Sequence, residues 1–465
     1  MLEKLANIFR IPELRNRVLF TLALLAVYRL GAHIPTPGID ADVLANLFAS
    51  QRGSLLGLGD LFTGGNLSRM TIFALGIMPY ITSSIIFQLL TVIYEPLAKL
   101  QKEGELGRKK ITQYTRYMTV VLGAIQAAGI AITLQRTGQG LVLNPGPGFI
   151  LMTVITLTTG TAFIMWLGEQ ITERGIGNGM SLLIFAGIVV GLPRAIADLW
   201  EKASTAAWGA FTVPAVVALV LFMVAVVAFI VFVERSERRV PMQFAKRMVG
   251  RRMVGGQSSY IPLRVNAGGV MPVIFASSIL SIPQFFANFA WVKESQFFSN
   301  FFRALEWGMP LYTLIYALAI IFFAYFYISI VFNPKEVADN IRKGGGFVPG
   351  IRPGARTEGH INDILTRITL VGAAYLILIS LIPEWMLAGI RLNQLPGALG
   401  SFFDNLLPSW ILNGLGVNFY FGGTSLLIVV GVAMDTVNQI ESQLIMRHYE
   451  GFTPRSGRIR GRRAW

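Results

Sequence analysis

Long apolar segments alternate with polar, charged loops along almost the whole chain. A membrane-spanning helix needs about 20 predominantly apolar residues, and ten segments reach or approach that length. Spans are predicted at residues 18–34, 71–94, 117–134, 149–167, 180–192, 213–233, 267–289, 310–332, 368–387 and 422–434 or beyond. The fifth is short before Pro193 and can continue through it. The pattern predicts an all-α polytopic membrane protein with ten transmembrane helices.

The positions of the basic residues predict the orientation of these helices. The chain has 40 lysines and arginines and a formal net charge of +15. With loops assigned to alternate sides, 31 basic residues share the side of both termini, 8 lie opposite, and Arg29 falls inside the first span. Lysine and arginine are retained in cytoplasmic loops, so both termini are predicted to be cytoplasmic. The bias also supports the ten-span count, because one missed helix would move every later loop to the opposite side and the basic residues would no longer collect on one side.

The spans divide into two halves of five. Residues 1–192 form the first half, 193–212 an external hinge loop, and 213–446 the second half, with a basic tail at 447–465. An odd-numbered half is inserted with the opposite orientation to its twin, which predicts an inverted repeat with a passage between the halves. Similarity between the halves is too weak to demonstrate the repeat. The tail is expected to lie near lipid headgroups or a partner.

Two long cytoplasmic loops are strongly basic. Residues 234–266 alternate apolar and basic positions around a Gly-Arg-Arg tip and predict a hairpin, while 333–367 predict a helix followed by a Gly/Pro-rich turn at Arg352. Such tips suit RNA phosphates or an acidic protein groove. Alternatively, the basic residues serve only to keep these loops on the cytoplasmic side during membrane insertion, although that role does not require loops of this length. The polar stretch 95–116 is expected to be a solvated hairpin, and the external stretch 388–421 an interfacial amphipathic segment.

Few residues suggest catalysis or ion coupling. The chain has no cysteine, and His33, His360 and His448 lie too far apart for metal-ligand spacing. Within or at the ends of the spans we find only Arg29 and Asp435, whereas ion-coupled transporters usually carry ionisable ligands at mid-membrane. The glycines of residues 168–181 resemble a phosphate cradle, but no strand precedes them, so a tight turn between helices is expected. We therefore predict neither an enzyme nor a cofactor.

Residues 59–90 carry the clearest functional pattern. A short, glycine-broken stretch, too polar to span, leads into an apolar helix that places Ile77 and Ile81 one turn apart on one face. The stretch could plug a passage lined by aliphatic side chains, or it could be a loop beside two packing isoleucines. An aliphatic passage would close by dewetting and would suit flexible cargo of diverse sequence.

Several blocks resemble the bacterial SecY family, the pore subunits of the Sec (SecYEG) protein translocon. They are GIMPYITSSIIFQLLT, WLGEQITERGIGNGMS, AKRMVGRRMVGGQSSYIPLRVN, PVIFASSI, FVPGIRPG and FYFGGTSLLIVV. The resemblance runs nearly end to end and implies a protein-conducting channel of ten helices in two inverted halves, hinged between the fifth and sixth. The stretch between LIPEW and FYFGG is longer than the family pattern, which leaves the external face of the last helix pair open.

The resemblance assigns roles to individual residues and favours the functional interpretation of Ile77 and Ile81. The implied pore ring is Ile77, Ile81, Ile184, Ile274 and Ile428. The implied plug is Gly59, Asp60, Leu61, Phe62, Thr63, Gly64, Gly65, Asn66, Leu67, Ser68 and Arg69. The implied contacts for a ribosome or motor are Lys246, Arg247, Arg251, Arg252 and Arg352. The second and third helices are expected to face the seventh and eighth across a lateral gate.

The implied function is passage of unfolded preproteins outward and of transmembrane segments sideways, across the bacterial cytoplasmic (inner) membrane. The implied partners are the SecE and SecG subunits, the SecA ATPase motor, the ribosome, signal peptides, preprotein chains and anionic lipids, with SecDF and YidC as further partners. A secondary transporter of a small solute is the alternative class, and mid-membrane ligands would favour it. A membrane enzyme is the third, which a polar cluster at one interface would have supported.

Overall fold

The computed structural model describes residues 11–40, 43–44, 63–137, 140–204, 212–244, 247–249, 252–254, 258–287, 301–302, 304–305, 309–389 and 423–450. Helices dominate these residues. In chain order they are α1 (Pro12–Gly31), α2 (Met78–Ile93), α3 (Glu95–Lys102), α4 (Glu105–Thr137), α5 (Pro147–Arg174), α6 (Gly179–Val190), α7 (Leu192–Ser204), α8 (Thr212–Arg235), α9 (Met271–Ala287), α10 (Pro310–Val331), α11 (Pro334–Lys343), α12 (Ala355–Ala388) and α13 (Gly423–Glu450). The predicted segment 388–421 lies almost wholly outside the described residues, as do most of the tail and the first ten residues.

Each predicted span overlaps one helix, namely α1, α2, α4, α5, α6, α8, α9, α10, α12 or α13. Among the described residues, five helices are long and apolar enough to cross a membrane: α4, α5, α8, α10 and α12. The bent pair α2–α3 makes a sixth, and α6 and α9 hold shorter apolar helices. The polytopic helical fold is therefore confirmed, while the count of ten spans stays a prediction.

The second predicted span begins later than its sequence indicates. Residues 71–77 form consecutive turns, and the α-helix starts only at Met78, with Pro79 in its first turn. Gly76 has a φ of +57°, which glycine adopts without strain but which does not fit an α-helix. The predicted helical start at residue 71 is therefore wrong. A run of apolar residues indicates that a segment is removed from water, but it does not by itself indicate that the segment is helical.

Two predicted loops are helical. The stretch predicted as a solvated hairpin at 95–116 contains α3 and the start of α4, and α3 turns 99° away from α2 at Tyr94. Tyr94 is extended, and Pro96 lies in the first turn of α3, where it lacks the amide that would continue the hydrogen bonding of α2. The external hinge predicted at 193–212 holds most of α7, which begins at Leu192 after the turn at Gly191 and ends at Ser204. Pro193 lies in its first turn, where proline is tolerated.

A small sheet forms from the two basic loops. Strands β1 (Glu237–Phe244) and β4 (Ser258–Arg264) pair antiparallel with Val240 opposite Ile261. Between them in the chain, β2 (Arg247–Val249) and β3 (Arg252–Val254) pair antiparallel as a separate two-stranded sheet. The predicted hairpin is thus confirmed. Strand β5 (Gly346–Phe347) adds to the free edge of β1, giving the order β4-β1-β5. Val240, Leu263 and Val348 pack this sheet onto the start of α12.

The two largest apolar cores join most of the helices. One joins α8, α9, α10, α12 and α13, and it also receives Ile85 from α2. The other joins α1, α2, α5 and α6, and it also receives Ile428 and Val432 from α13. Each core therefore takes side chains from the opposite half of the chain. The crossing points are α2 with α9 and α6 with α13, and the candidate site lies between them.

Candidate functional site

The five isoleucines of the predicted ring line one cavity. They are Ile77, Ile81, Ile184, Ile274 and Ile428, and the remaining lining residues are Thr63, Met78 and Ser277. The sequence brings them from four different helices, α2, α6, α9 and α13, with Ile77 at the residue just before α2. Residues far apart in the chain therefore meet where the two halves touch.

Local structure fixes the direction of each ring side chain. The amide of Ile81 donates to the carbonyl oxygen of Ile77 at 3.1 Å, so these residues stay one turn apart although the helix begins between them. In α6, the side chain of Asn178 accepts from the amide of Met180 at 3.1 Å and caps the helix that carries Ile184. Ile184 and Ile428 are buried, whereas Ile81 and Ile274 remain half-buried.

The cavity at the ring is very small. Its volume is about 20 Å³, and a single water needs about 10–15 Å³ on the same measure together with two to four polar partners. Thr63 and Ser277 bring the hydroxyl groups of its lining, and the hydroxyl of Ser277 donates to the carbonyl oxygen of Ile274 at 3.0 Å. A hydrated ion does not fit such a space, and an aliphatic lining favours its dry state.

Part of the predicted plug lies against this cavity. Thr63 lines it directly, and the backbone of Gly64 meets α6 so closely that an added Cβ would lie 2.7 Å from the carbonyl oxygen of Gly187. The amide of Thr71 donates to the carbonyl oxygen of Asn66 at 3.0 Å and ties the end of the segment down. Residues Thr63 to Arg69 are described, whereas Gly59, Asp60, Leu61 and Phe62 lie outside the described residues.

The described members of the predicted ribosome or motor contacts lie on the β2–β3 pair and in the turn after β5. Arg247 and Arg252 belong to β2 and β3, where Val249 pairs with Arg252 beside the tip. Lys246 and Arg251 lie outside the described residues. Arg352 is exposed in the turn that follows β5, and its carbonyl oxygen accepts from the hydroxyl of Thr357 at 3.0 Å. Because β5 pairs with β1, the sheet joins the two basic loops into one unit, which the sequence alone did not predict.

The sheet also holds a fixed cation. The guanidinium of Arg239 donates to the carboxylate of Glu237 at 2.7 Å and lies 4.8 Å from the ring centre of Tyr260. The hydrogen bond to Glu237 raises the pKa of Arg239, whose guanidinium is charged at physiological pH even without this shift. It adds a positive charge on the strand that leads to the tip.

The acidic residue nearest a span end has a partner outside the cavity. Asp435 of α13 lies 3.6 Å from the guanidinium of Arg264, at the end of β4, and both side chains are more than half exposed. Glu234, at the end of α8, accepts from the side-chain amide of Asn266 at 2.7 Å. These contacts connect the end of the sheet to the ends of α8 and α13.

The glycine-rich stretch 168–181 forms the tight turn expected between helices. The amide of Ile176 donates to the hydroxyl of Thr21 at 3.1 Å, and the amide of Gly177 donates to the side chain of Gln439 at 2.9 Å. An added Cβ at Gly179 would contact the carbonyl oxygen of Gly168. The glycines therefore serve close packing against α1 and α13. Thr21 and Gln439 were missed, since no local pattern marks a hydroxyl or amide that reaches a distant backbone.

Comparison with known proteins agrees with this architecture. A family model described as SecY matches residues 71–437. "Protein translocase subunit SecY" of Escherichia coli strain K12 is 50% identical over 441 residues, which cover 94% of this chain and 93% of the relative. A solved structure described as "The structure of a protein conducting channel" superposes with a TM-score of 0.61 at 16% identity, covering 94% of both chains. The channel chain of "Sec61 in the Canine ribosome-channel complex from the endoplasmic reticulum" gives 0.57 at 16% identity and the same coverage.

Proposed function

Because this chain belongs to the SecY family, we propose that it forms the pore of a channel that carries unfolded preproteins across a membrane. The observation that carries the proposal is the meeting of five isoleucines from four helices at one narrow cavity. An aliphatic ring offers a passing chain no hydrogen bonds, so it does not select among sequences. Such a ring suits a polypeptide better than a small polar solute that must be recognised.

The ring and the plug together seal the resting channel in this proposal. The ring leaves a cavity of about 20 Å³, and Thr63 lies against it. Gly64 packs directly on the backbone of α6, so the segment leaves little space on that side. Water and ions would then face both a dry constriction and a packed segment, which supports a barrier to leakage.

Transmembrane segments of the cargo leave sideways between α2 and α9 in this proposal. Ile85 of α2 packs in the same core as Val273 and Ala276 of α9, so the two helices touch in this state. Ile81 and Ile274 lie on the same two helices. Separation of α2 from α9 would therefore widen the ring and open it toward lipid in one movement, with α4 and α10 flanking the gap.

The basic sheet binds the partner that delivers or drives the cargo in this proposal. The β1–β5 pairing joins the two basic loops that carry Arg352 and, on the separate β2–β3 pair, Arg247 and Arg252, which supports a single docking surface. The ribosome, the SecA motor, SecE and SecG are the partners assigned by family membership. We assign the chain no cofactor and no catalytic step, so the energy for transport comes from the partner.

The chain is assigned to the bacterial cytoplasmic membrane, with both termini on the cytoplasmic side. The distribution of 31 basic residues against 8 supports this orientation, and the relatives come from bacteria. The halves are assigned to residues 1–192 and 213–446, with the hinge at 193–212, where α7 lies. The crossed cores described above fit two halves that share one central site.

A secondary transporter of a small solute fits less well. Ion coupling requires ligands near the middle of the membrane, and the sequence offered Asp435 as the acidic group of a span. Asp435 pairs with Arg264 at 3.6 Å and remains largely exposed, close to the cytoplasmic sheet. This pairing gives it a structural partner away from the isoleucine cavity, so the observation favours the channel.

Sealed vesicles that contain the chain with its partner subunits test the function and the seal together. Wild-type vesicles should hold an ion gradient at rest and, once the motor is added, protect a secretory precursor from external protease. Ile81→Gly combined with Ile274→Gly should raise resting ion conductance by on the order of tenfold, because the dry constriction is lost.

The matched control is Ile125→Gly, which makes the same change at a lipid-facing position of α4. It should leave resting conductance unchanged. Wild-type vesicles could instead fail to protect the precursor and take up a small solute driven by an ion gradient. That result would contradict the channel and favour a transporter. Protection of the precursor with unchanged conductance of the double variant would reject the ring as the seal.

A further inference from the structure

Three polar groups meet inside the apolar wall next to the plug. The side-chain amide of Asn66 donates to the carbonyl oxygen of Thr63 at 2.6 Å and lies 3.4 Å from the hydroxyl oxygen of Tyr28. That hydroxyl also lies 3.5 Å from the carbonyl oxygen of Thr63, to which it can donate. Tyr28 belongs to α1, whereas Asn66 and Thr63 belong to the plug, so the cluster joins two separate elements.

The cluster is almost completely shielded from solvent. Tyr28 is 5% exposed and Asn66 is 2% exposed. Buried polar groups are costly unless they are hydrogen-bonded, and here each one satisfies another. The two contacts of Tyr28, at 3.4 and 3.5 Å, are long, but a low local dielectric strengthens them, and water does not compete.

The tyrosine is held in place by its ring. It stacks on Phe73 with centroids 5.7 Å apart, and Phe73 in turn stacks on Phe163 of α5 at 6.1 Å. Phe73 also fits against Gly31, where a Cβ would overlap its ring. The hydroxyl therefore points from a packed aromatic column toward the plug.

We propose that Tyr28 and Asn66 form a latch that holds the plug in the closed position. The inference rests on the proposed function, since it concerns the plug of the proposed channel. When the plug leaves, the amide of Asn66 loses the Tyr28 hydroxyl, and that hydroxyl loses both of its plug contacts within an apolar wall. The closed state is thereby favoured until cargo displaces the segment. The two residues are positioning residues, because they act on the plug and do not touch the cargo.

The latch acts next to the ring. Thr63, whose carbonyl oxygen accepts from Asn66, also lines the isoleucine cavity. The residue that the latch holds is thus the one that faces the constriction. Release of the latch would free Thr63 from the cavity without any change in the isoleucines themselves.

The test measures how often the plug leaves the cavity at rest. The chain has no cysteine, so Thr63→Cys introduces a single buried thiol on the plug. The full complex in vesicles is treated with a membrane-impermeant maleimide, and the labelling rate is measured. Tyr28→Phe removes the hydroxyl but keeps the stacked ring, and we expect the rate to rise about two- to fivefold. Asn66→Ala removes the contact of Asn66 with Tyr28 and the bond to Thr63 within the plug, but it leaves the contact of Tyr28 with Thr63. We therefore expect a smaller rise, of about two- to threefold.

A double-variant cycle and two controls separate a latch from general loosening. Tyr28→Phe combined with Asn66→Ala should raise the rate by less than the product of the single effects, because both variants break one cluster. Tyr325→Phe, which removes a tyrosine hydroxyl bonded to the carbonyl oxygen of Thr366 at 3.1 Å, should leave the rate unchanged. Labelling of Ile320→Cys, fully buried in the other core, should not respond to either latch variant.

The outcomes distinguish the latch from the plug itself. Deletion of residues 64–68 should raise resting conductance if the segment is a plug. If the deletion raises resting conductance but both latch variants leave the Thr63→Cys labelling rate unchanged, the segment is a plug and the latch is overturned. Unchanged conductance on deletion overturns the plug assignment and the latch with it. A parallel rise in Ile320→Cys labelling also overturns the latch, since it indicates a general loss of packing.

Discussion

Residues 63–77 and helix α8 are two parts of the same apolar body with opposite structures. Helix α8 is regular, strongly apolar and largely exposed on its outer face, where Leu221, Val224 and Phe232 are all more than 60% exposed. Residues 63–77 are irregular, and most of their apolar side chains are buried. Apolar residues thus form an outward-facing wall in α8, whereas the apolar residues at positions 70–77 pack inside the protein beside the cavity.

The difference follows from hydrogen bonding at membrane depth. Irregular backbone is tolerated there only where protein buries it and supplies partners. The amide of Ile72 donates to the carbonyl oxygen of Ile34 at 3.0 Å, and that of Thr36 to Met70 at 2.8 Å, so the turn after α1 pairs with these residues. Helix α8 satisfies its backbone internally and needs no neighbour. Burial is therefore a requirement for residues 63–77 and an option for α8.

Phenylalanine truncation gives the largest expected contrast. Phe73 is 1% exposed and lies between Tyr28 and Phe163, so Phe73→Ala leaves a cavity and should lower the free energy of unfolding by about 3 kcal/mol. Phe232→Ala on α8, at a side chain 70% exposed, makes the same chemical change and should cost less than about 0.5 kcal/mol. Denaturant unfolding of the complex in detergent measures both. Equal losses would mean that residues 63–77 are not packed as described.

A glycine pair gives a smaller and more specific contrast. Gly64 and Gly65 both have positive φ, at +73° and +83°, so alanine strains both by about 1 kcal/mol. Only at Gly64 would the new Cβ meet neighbouring backbone, 2.7 Å from the carbonyl oxygen of Gly187. Gly64→Ala should therefore displace the plug and raise resting ion conductance severalfold, by less than the ring variants do.

Gly65→Ala is the matched control, because nothing lies within 4 Å of its added Cβ. It carries the backbone strain without the collision. Similar conductance in the two variants would show that strain alone governs the segment, and the described contact between the plug and α6 would have to be abandoned.

The sequence predicted the parts of the fold that depend on composition and period. Apolar length located the helices, and the one-turn spacing of Ile77 and Ile81 remained correct although α2 begins at Met78. Alternating residues located the β1–β4 hairpin. These features depend on the order of apolar and polar residues within one short segment, which the sequence shows directly.

Other features depend on which distant backbone lies nearby. The turns at 71–77 require Gly31 and Gly160 of other helices to approach closely, and no local pattern marks that approach. The pairing of β5 with β1 joins loops about 100 residues apart in sequence. The hydroxyl of Tyr28 reaches the plug across 38 residues of sequence from Asn66. The ring members on α6, α9 and α13 came from family resemblance, because nothing in their own periodicity separates them from packing isoleucines.

The most direct test of the channel places cargo and pore in covalent contact. Single cysteines are introduced at Ile81 or Ile274 in the cysteine-free chain, and a secretory precursor with one central cysteine is stalled midway before oxidation. Ile320→Cys in the buried core and Ile125→Cys on the lipid-facing side of α4 serve as controls. We expect disulfides to the precursor at the two ring positions and at neither control. A membrane-engaged precursor that forms no disulfide with either ring position would place the cargo elsewhere and contradict a polypeptide path through the isoleucine ring.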